Sequence, residues 1–172
     1  MSEPVLSVED LVVRFHLKRG TLTAVDGLSF DVNKGETFGL VGESGSGKSV
    51  TARAIMRLLP SPPANITARR VSIDNQNIYE LDDEQIRGIR GRKIAMVFQE
   101  PMSALNPVYS VGAQIGDVLR TNLGMNKAEA RERTIELLEL VGIPSARGRV
   151  DNYPHEFSGG MRQRVKLAMA MS

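Results

Sequence analysis

The sequence predicts an α/β domain with a helical subdomain, and three observations lead to this fold class. Strand-like segments rich in valine fill the N-terminal part of the chain. A loop rich in glycine and serine then separates a short apolar run from a segment with helical spacing. From Val111 onward the pattern becomes helical. Strands and helices that alternate in this way around one core are typical of an α/β domain.

Three strands are expected before the loop. Residues 5–15 and 21–32 have strand-like patterning, and a turn at residues 18–20 lies between them. A second turn, at residues 33–35, leads to the short apolar run 37–41. Because this run lies between turn signals, we expect it to form a buried strand.

A helix is expected directly after the loop. Residues 48–59 have helical spacing, and the prolines that begin at Pro60 end the segment. The expected apolar face of this helix consists of Ala54, Ile55, Leu58 and Leu59.

Shorter elements are expected in the middle of the chain. Residues 71–78 read as a strand, and residues 82–88 read as a short helix capped by Asp82 or Asp83. The apolar run 94–98 is expected to be a second buried strand.

Two helices are expected in the C-terminal part. Asn126 and Glu129 have the spacing of a capping box, with asparagine in place of serine or threonine. The helix that they open should end at Gly142. A last helix should begin at Ser158 and continue through Met171. The expected apolar stripe of the first helix consists of Ile135, Leu138 and Val141.

Composition and charge narrow the function classes. The 172 residues include 41% hydrophobic and 24% charged residues, which is ordinary for one globular domain. The 22 basic and 20 acidic residues by themselves argue neither for nor against a nucleic-acid partner. Because the sequence has no strong basic patch and no long coiled-coil insertion, we expect no such partner. The sequence has no cysteine, which excludes disulfides and cysteine-ligated metals. His16 and His155 have no metal-like spacing.

Nothing in the sequence resembles a membrane anchor. The N-terminus has acidic residues and no apolar core of a signal peptide. No apolar run approaches the roughly 20 residues that span a bilayer. We therefore expect any association with a membrane to go through a partner.

The glycine–serine loop matches the phosphate-binding pattern G-x-x-x-x-G-K-[ST]. Its glycines let backbone N–H groups turn inward around phosphates without a clash from a Cβ atom. Lys48 supplies a charge for the β- and γ-phosphates, and the Ser49 hydroxyl can bind Mg²⁺. A chance match in a flexible loop is the alternative, but the loop follows an expected strand and opens an expected helix, as the motif demands. The predicted nucleotide-binding residues of this P-loop are Gly42, Glu43, Ser44, Gly45, Ser46, Gly47, Lys48, Ser49 and Val50.

A second group of residues suited to phosphate follows more than a hundred positions later. Ser158, Gly159 and Gly160 lie at an expected helix start, where backbone N–H groups can bind an anion. A plain capped helix with a glycine turn explains the same residues equally well. The P-loop alone also leaves kinases, GTPases, helicases and transport ATPases open.

A family resemblance separates these classes. The segment 157–161 resembles the signature motif of ABC ATPases, with Phe157 and Met161 in place of the usual leucine and glutamine. Residues 97–107 resemble the Q-loop of that family, and residues 153–156 are also typical of it. Within the family, the P-loop and the segments 103–107 and 158–164 are together similar to those of the ATP-binding subunits of oligopeptide, dipeptide, nickel and glutathione importers. The resemblance implies an ABC-type nucleotide-binding domain with an antiparallel β subdomain and P-loop core in residues 1–109. It implies a helical subdomain in residues 110–172.

The resemblance also implies roles for single residues. Gln99 would sense the γ-phosphate through Mg²⁺ or the attacking water, so that Lys48 and Gln99 would be the catalytic residues. Ser49 and Gln99 would be the metal ligands. Ser158 with the two following glycines would contact ATP bound to the opposite protomer. Phe15 is the candidate for stacking on adenine, with core packing as an equal alternative and His16 as the neighbouring candidate.

The partners are implied in the same way. They are integral membrane permease subunits, a second ATP-binding subunit that is identical or paralogous, and indirectly a solute-binding protein. ATP and Mg²⁺ would be bound at the cytoplasmic face of the cell membrane.

The sequence departs from the family pattern at its end. The family has an apolar run that ends in Asp-Glu after the signature helix, and this chain ends at Ser172 before such a run. We therefore expect a partial core and very slow ATP hydrolysis by this chain alone. Glu43 and Glu100 could be proposed as the carboxylate that activates the attacking water, but nothing in the sequence aims either at the water. A non-catalytic nucleotide-binding fragment, or an ABC-type ATPase not linked to transport, stays open as an alternative.

Overall fold

A long β-hairpin opens the computed structural model, which describes residues 4–98 and 105–172. β1 (Leu6–Leu17) pairs in antiparallel fashion with β2 (Gly20–Val32). The turn between them lies at Lys18 and Arg19, so the two expected strands and their turn are confirmed.

The free edge of β1 is shared by two shorter strands. Its first half pairs with β4 (Arg70–Ile73), and its second half pairs with β3 (Ala64–Thr67), both antiparallel. Between the two halves Asp10 has a φ of 51°, and the register with β2 shifts on either side of Leu11. Such a bulge bends a strand. In the described part of the chain, the sheet has five strands in the order β2-β1-β4-β5, with β3 beside β1.

The expected strand over residues 71–78 is wrong as a single element. It divides into β4 and β5 (Gln76–Asn77), which form a tight hairpin. The turn residues Asp74 and Asn75 have φ values of 46° and 64°. Two consecutive positive φ angles are the geometry of a two-residue hairpin turn, and Asp and Asn tolerate it better than most residues.

The two expected buried strands, over residues 37–41 and 94–98, are also wrong. Residues 37–41 lie in no strand, and Val41 is 90% exposed. In the second segment Ile94 forms one isolated bridge with Arg90, and no regular strand follows. An apolar run indicates a tendency to be buried, whereas a strand also needs a hydrogen-bonding neighbour that the local sequence does not specify.

The helix after the P-loop is shorter than expected. α1 (Lys48–Ile55) ends four residues before the expected end at Leu59, because Arg57 adopts a φ of 52°. Two of the expected apolar-face residues, Ala54 and Ile55, are buried, whereas Leu58 is 39% exposed.

Two side chains hold the end of α1 in place. The Tyr79 hydroxyl donates a hydrogen bond to the Ala54 carbonyl at 2.7 Å. The Arg57 guanidinium donates to the carbonyls of Ile78 and Leu81 at 3.0 and 2.7 Å. The orphan carbonyl groups of a helix end need such donors, so the sequence after β5 supports the helix that follows the P-loop.

A short helix, α2 (Asp83–Ile89), follows. The Asp82 carboxylate accepts hydrogen bonds from the backbone N–H groups of Glu84 and Gln85 at 3.0 and 2.8 Å. The Gln85 side chain in turn accepts from the Asp82 N–H at 3.0 Å. Of the two expected caps, Asp82 is therefore the correct one.

The C-terminal part is helical, as expected. Its elements are α3 (Val111–Leu123), α4 (Lys127–Leu140), α5 (Ala146–Arg149), a 3₁₀ turn (Pro154–Glu156) and α6 (Gly159–Ala170). The expected capping box at the start of α4 is confirmed, because Asn126 accepts from the Glu129 N–H and Glu129 accepts from the Asn126 N–H.

The three longer helices share one apolar core. α3 contributes Ile115 and Leu119, α4 contributes Leu138, and α6 contributes Val165, all with no measurable exposure. α3 also lies directly against the chain after α5. The Gly112 N–H donates to the Val150 carbonyl oxygen at 2.7 Å. A Cβ on Gly112 would lie 2.5 Å from this oxygen, so the two segments are in close contact.

The chain divides into two compact units, Met1–Ile86 and Arg87–Ser172. The functional boundary expected after residue 109 is a different division and stays a prediction. Within residues 4–98 and 105–172, no helix combines the length and the apolar character that crossing a membrane requires.

Candidate functional site

The P-loop leads into α1 through left-handed glycines. Gly45 and Gly47 have φ values of 85° and 89°, and Gly47 is the residue that precedes the helix. A Cβ on Gly47 would lie 2.3 Å from the backbone oxygen of Ala24 in β2. Because the loop is seated so closely on the sheet, only glycine fits at this position.

The Lys48 ammonium group lies inside the curve of this loop. It donates hydrogen bonds to the carbonyl oxygens of Gly42 and Glu43 at 2.8 and 2.6 Å, and to the Ser46 hydroxyl at 3.2 Å. The Ser46 N–H closes a turn onto the Glu43 carbonyl at 3.2 Å. The loop residues thus hold in place the Lys48 ammonium group, which the motif predicts to bind phosphate.

The N-terminus of α1, the positive end of the helix dipole, also favours a phosphate at this loop. The helix begins at Lys48, and no acidic side chain occupies its first turn. Its first hydrogen bond runs from the Thr51 N–H to the Gly47 carbonyl at 2.8 Å. Amide groups earlier in the turn have no intrahelical acceptor and favour an anion. Ser49, in this turn, is exposed.

A cavity of about 570 Å³ adjoins the loop within the first unit. Its lining includes Ser46 and Lys48 of the loop and the β2 residues 24–29. Cavities of this size are typical of small-ligand sites. Within the described residues, no cluster of three or more His, Cys, Asp or Glu residues could hold a metal ion. Among the described residues of the loop, the Ser49 hydroxyl is the predicted metal ligand.

The candidate adenine platform lies on the hairpin. Phe15 of β1 is half-buried and pairs with Leu22 of β2 and with Ala64 of β3. His16, the neighbouring candidate, is exposed, and its Nδ1 lies 3.1 Å from the Thr21 hydroxyl. The stacking role of Phe15 stays a prediction.

The signature segment has the expected cap. The Ser158 hydroxyl accepts a hydrogen bond from the Met161 N–H at 3.3 Å, which confirms the cap of α6. Phe157 anchors the segment because it is 2% exposed. Ser158, Gly159 and Gly160 are exposed, and a Cβ on either glycine would meet no atom within 4 Å. The exposed first turn of α6 leaves its backbone open to a ligand.

Cationic side chains connect α6 to other segments, and sequence reasoning did not identify them. Arg162 donates to the Phe157 carbonyl at 2.8 Å, and its buried Nε has no hydrogen-bond partner among the described residues. Arg164 donates to the Gly142 carbonyl at 2.8 Å. The available signal was the recurrence of a basic residue at every second position from Arg162 to Lys166, next to the apolar end of the helix.

The expected Q-loop is only partly described. Gln99, with Glu100, lies outside the described residues, so its catalytic and metal-binding roles stay predictions. After the gap, the Gln114 side chain accepts from the Asn106 N–H at 2.8 Å and donates to the carbonyls of Asn106 and Tyr109 at 3.0 Å each. Gln114 thus fixes the segment that enters α3, a role that the sequence did not indicate.

Two bidentate ion pairs join α4 to the chain after it. Arg131 binds Asp151 with two contacts of 2.7 Å, and this hydrogen bonding holds the pKa of Asp151 below its usual range. Arg147 binds Glu132 at 3.0 and 2.6 Å and lowers the pKa of that carboxyl in the same way. All four side chains are largely exposed to solvent, so these pairs stabilise the fold only weakly.

Comparison with known proteins places these features in one context. The model of the ABC transporter family matches residues 25–172. The chain is 52% identical over 98% of its length to the dipeptide transport ATP-binding protein DppD of Bacillus subtilis (strain 168), of which it covers 50%. It is 46% identical, again over 98% of its length, to the oligopeptide transport ATP-binding protein OppD of the same strain, of which it covers 47%. The chain thus spans about half the length of the curated relatives it matches.

Solved structures agree with the fold. The dimeric structure of MJ0796, a bacterial ABC transporter cassette, matches with a TM-score of 0.83 and 27% identity over 96% of this chain and 68% of that chain. CbiO1 from Clostridium perfringens, part of the ABC transporter complex cbiONQ, matches with a TM-score of 0.73 and 26% identity. The match covers 99% of this chain and 62% of that one.

Proposed function

The chain belongs to the ABC transporter family, and from this premise we propose that it is the ATP-binding part of an importer subunit. In this role, ATP binding and hydrolysis drive the uptake of peptides or similar small solutes across the cytoplasmic membrane. The peptide class is supported by the relatives, which are named as dipeptide and oligopeptide transport ATP-binding proteins.

The observation that carries the proposal is the geometry around Lys48. Its ammonium group is held by the carbonyls of Gly42 and Glu43 within a loop that opens a helix. Backbone amides, a helix N-terminus and a fixed cation then act on the same anion. Phosphoryl transfer depends mainly on such positioning and charge stabilisation.

The residues of the loop also fit the metal that accompanies ATP. Ser49 offers a hydroxyl at the start of α1, and Gln99 is the proposed second ligand from the protein. When bound, Mg²⁺ neutralises charge that develops on the phosphate oxygens. Phe15 would carry the adenine at the hairpin, where the neighbouring strand β2 meets the loop at Ala24.

The proposed partners follow from the exposed signature segment. Ser158, Gly159 and Gly160 would contact ATP bound to a second ATP-binding subunit, identical or paralogous, and MJ0796 is a dimeric cassette. Permease subunits would hold both at the cytoplasmic face of the membrane, and a solute-binding protein would deliver the solute to them. Because the chain covers about half of its relatives, the activity, partners and location of the whole protein are part of this proposal.

A calorimetric titration with Mg-ATP tests the proposal. We expect Lys48→Ala to weaken binding by about 10- to 100-fold, because a charge-assisted hydrogen bond contributes roughly 1.5–3 kcal/mol. Lys34→Ala, at an exposed lysine in the turn after β2, is the matched control and should bind like the wild type. Equal affinities of the wild type and Lys48→Ala, or no binding by the folded wild type, would overturn the assignment.

A further inference from the structure

A buried cation on α6 connects this helix with the segment that ends at Phe98. Lys166 is 4% exposed, and its Nζ donates a hydrogen bond to the Phe98 carbonyl oxygen at 3.1 Å. The two residues are 68 positions apart, and both belong to the second unit. Removing an ammonium group from water is costly unless its donors find acceptors. The burial of Lys166 therefore depends on contacts of this kind.

The two ends of this link differ in rigidity. Lys166 lies about two helical turns after Ser158, on a helix whose neighbours Val165 and Ala168 are fully buried. Phe98 lies in the segment 94–98, which forms no regular strand and has one isolated bridge, at Ile94. A segment without a regular hydrogen-bonded ladder opens easily, so a hydrogen bond from a buried cation to its backbone opposes this opening.

The acceptor is a backbone atom, and this decides what the link can do. A hydrogen bond to the Phe98 carbonyl fixes the path of the main chain, whatever side chain position 98 carries. Arg162 and Arg164 of the same helix donate to other segments, at Phe157 and Gly142. Lys166 thus differs from these two arginines because its acceptor lies at Phe98, in the segment directly before residue 99.

We propose that Lys166 is a positioning residue that ties the main chain at Phe98 to the signature helix. A displacement of α6 when ATP binds at Ser158 is then passed on to residues 94–98. The displacement rests on the proposed function, whereas the link itself does not.

Hydrogen exchange in the intact protein tests the link without nucleotide. Lys166→Met keeps the apolar stem and removes the donor, and we expect the amides of residues 94–98 to exchange about tenfold faster, as the loss of one hydrogen bond implies. Lys166→Arg retains a donor and should restore slow exchange. Arg164→Met is the matched control, because it removes a different tether of α6 and should leave the exchange of residues 94–98 unchanged.

The same samples with Mg-ATP test the transmission. ATP should slow exchange at residues 42–49 in both the wild type and Lys166→Met, whereas the response of residues 94–98 should be lost in the variant. In steady-state ATP hydrolysis by the full-length protein, we expect Lys166→Met to lower kcat about tenfold and to leave KM within twofold. Lys166→Arg should recover most of kcat, which a general loss of stability would not allow.

Two results would overturn the link. One is wild-type exchange of residues 94–98 in Lys166→Met, and the other is failure of arginine to restore it. If the methionine variant does not fold, acetylation of the wild type decides: Lys166 should react at least tenfold more slowly than exposed Lys127, and equal rates contradict the link. Absence of protection at residues 42–49 by Mg-ATP would instead count against the proposed function, so the two failures are distinguishable.

Discussion

Gly45 and Gly47 of the P-loop share a left-handed backbone but differ in their surroundings. Both have φ angles between 85° and 89°. A Cβ on Gly45 would meet no atom within 4 Å, whereas a Cβ on Gly47 would lie 2.3 Å from the Ala24 oxygen. The motif therefore uses glycine for two reasons, the backbone angle at one position and the close approach to β2 at the other.

This difference predicts unequal effects of the same substitution. We expect Gly45→Ala to lower the free energy of unfolding by about 1 kcal/mol, the strain of a left-handed alanine. Gly47→Ala should lower it by about 3 kcal/mol, because the methyl group also forces the loop away from the strand. Denaturant unfolding of both variants measures the difference, and equal losses would contradict the close seating of the loop on β2.

At the scale of elements, α1 depends on residues that follow it by more than twenty positions. The Tyr79 hydroxyl donates to the Ala54 carbonyl at 2.7 Å. Burial raises the pKa of Tyr79 to about 12, and the nearby Arg57 cation partly opposes this shift. The folded chain thus keeps the hydroxyl protonated to higher pH than the unfolded chain, where the pKa is about 10.

The raised pKa predicts a loss of stability in alkali. Its contribution is complete below about pH 10 and is lost as the pH rises through about 12, because the unfolded chain releases the proton first. We expect Tyr79→Phe to lower the free energy of unfolding by about 1 kcal/mol at pH 8. Between these pH values, the free energy of unfolding of the variant should fall less steeply than that of the wild type. Thermal unfolding across this range measures both, with Tyr109→Phe, at an exposed tyrosine, as the control at pH 8. Parallel curves for wild type and Tyr79→Phe would contradict the prediction.

How far the sequence predicted the elements depended on where their partners lie. The caps at Asn126 and Ser158 and the P-loop were predictable, because each is specified by residues that are neighbours in the chain. Residues 37–41 and 94–98 were wrong as strands, since an apolar run does not specify the neighbour that a strand needs. The tether from Lys166 was missed for the same reason: its acceptor is a backbone atom 68 residues away.

At the scale of the whole molecule, the proposed site needs a second copy or a paralogue. The P-loop belongs to the first compact unit and the signature segment to the second. In the proposed assembly, the signature contacts nucleotide held by another protomer. The exposed start of α6, where Ser158 and both glycines face open space, is compatible with this contact.

This assembly predicts separate effects on binding and association. We expect Ser158→Arg to leave Mg-ATP affinity of the isolated subunit within about twofold, because the substitution lies outside the P-loop. ATP-dependent dimerisation should weaken at least tenfold, since a bulky cation at this helix start blocks the approach of a partner. Calorimetry and sedimentation in the intact protein measure the two quantities. Unchanged dimerisation would contradict use of the signature by the opposite protomer.

The contacts of the Lys48 ammonium group also have a thermodynamic consequence. Freezing a mobile lysine on binding costs up to about 2 kcal/mol of rotamer entropy. Here the carbonyls of Gly42 and Glu43 and the Ser46 hydroxyl immobilise the side chain during folding. A polyphosphate then meets a cation that has little disorder left to lose, so more of the attraction remains as affinity.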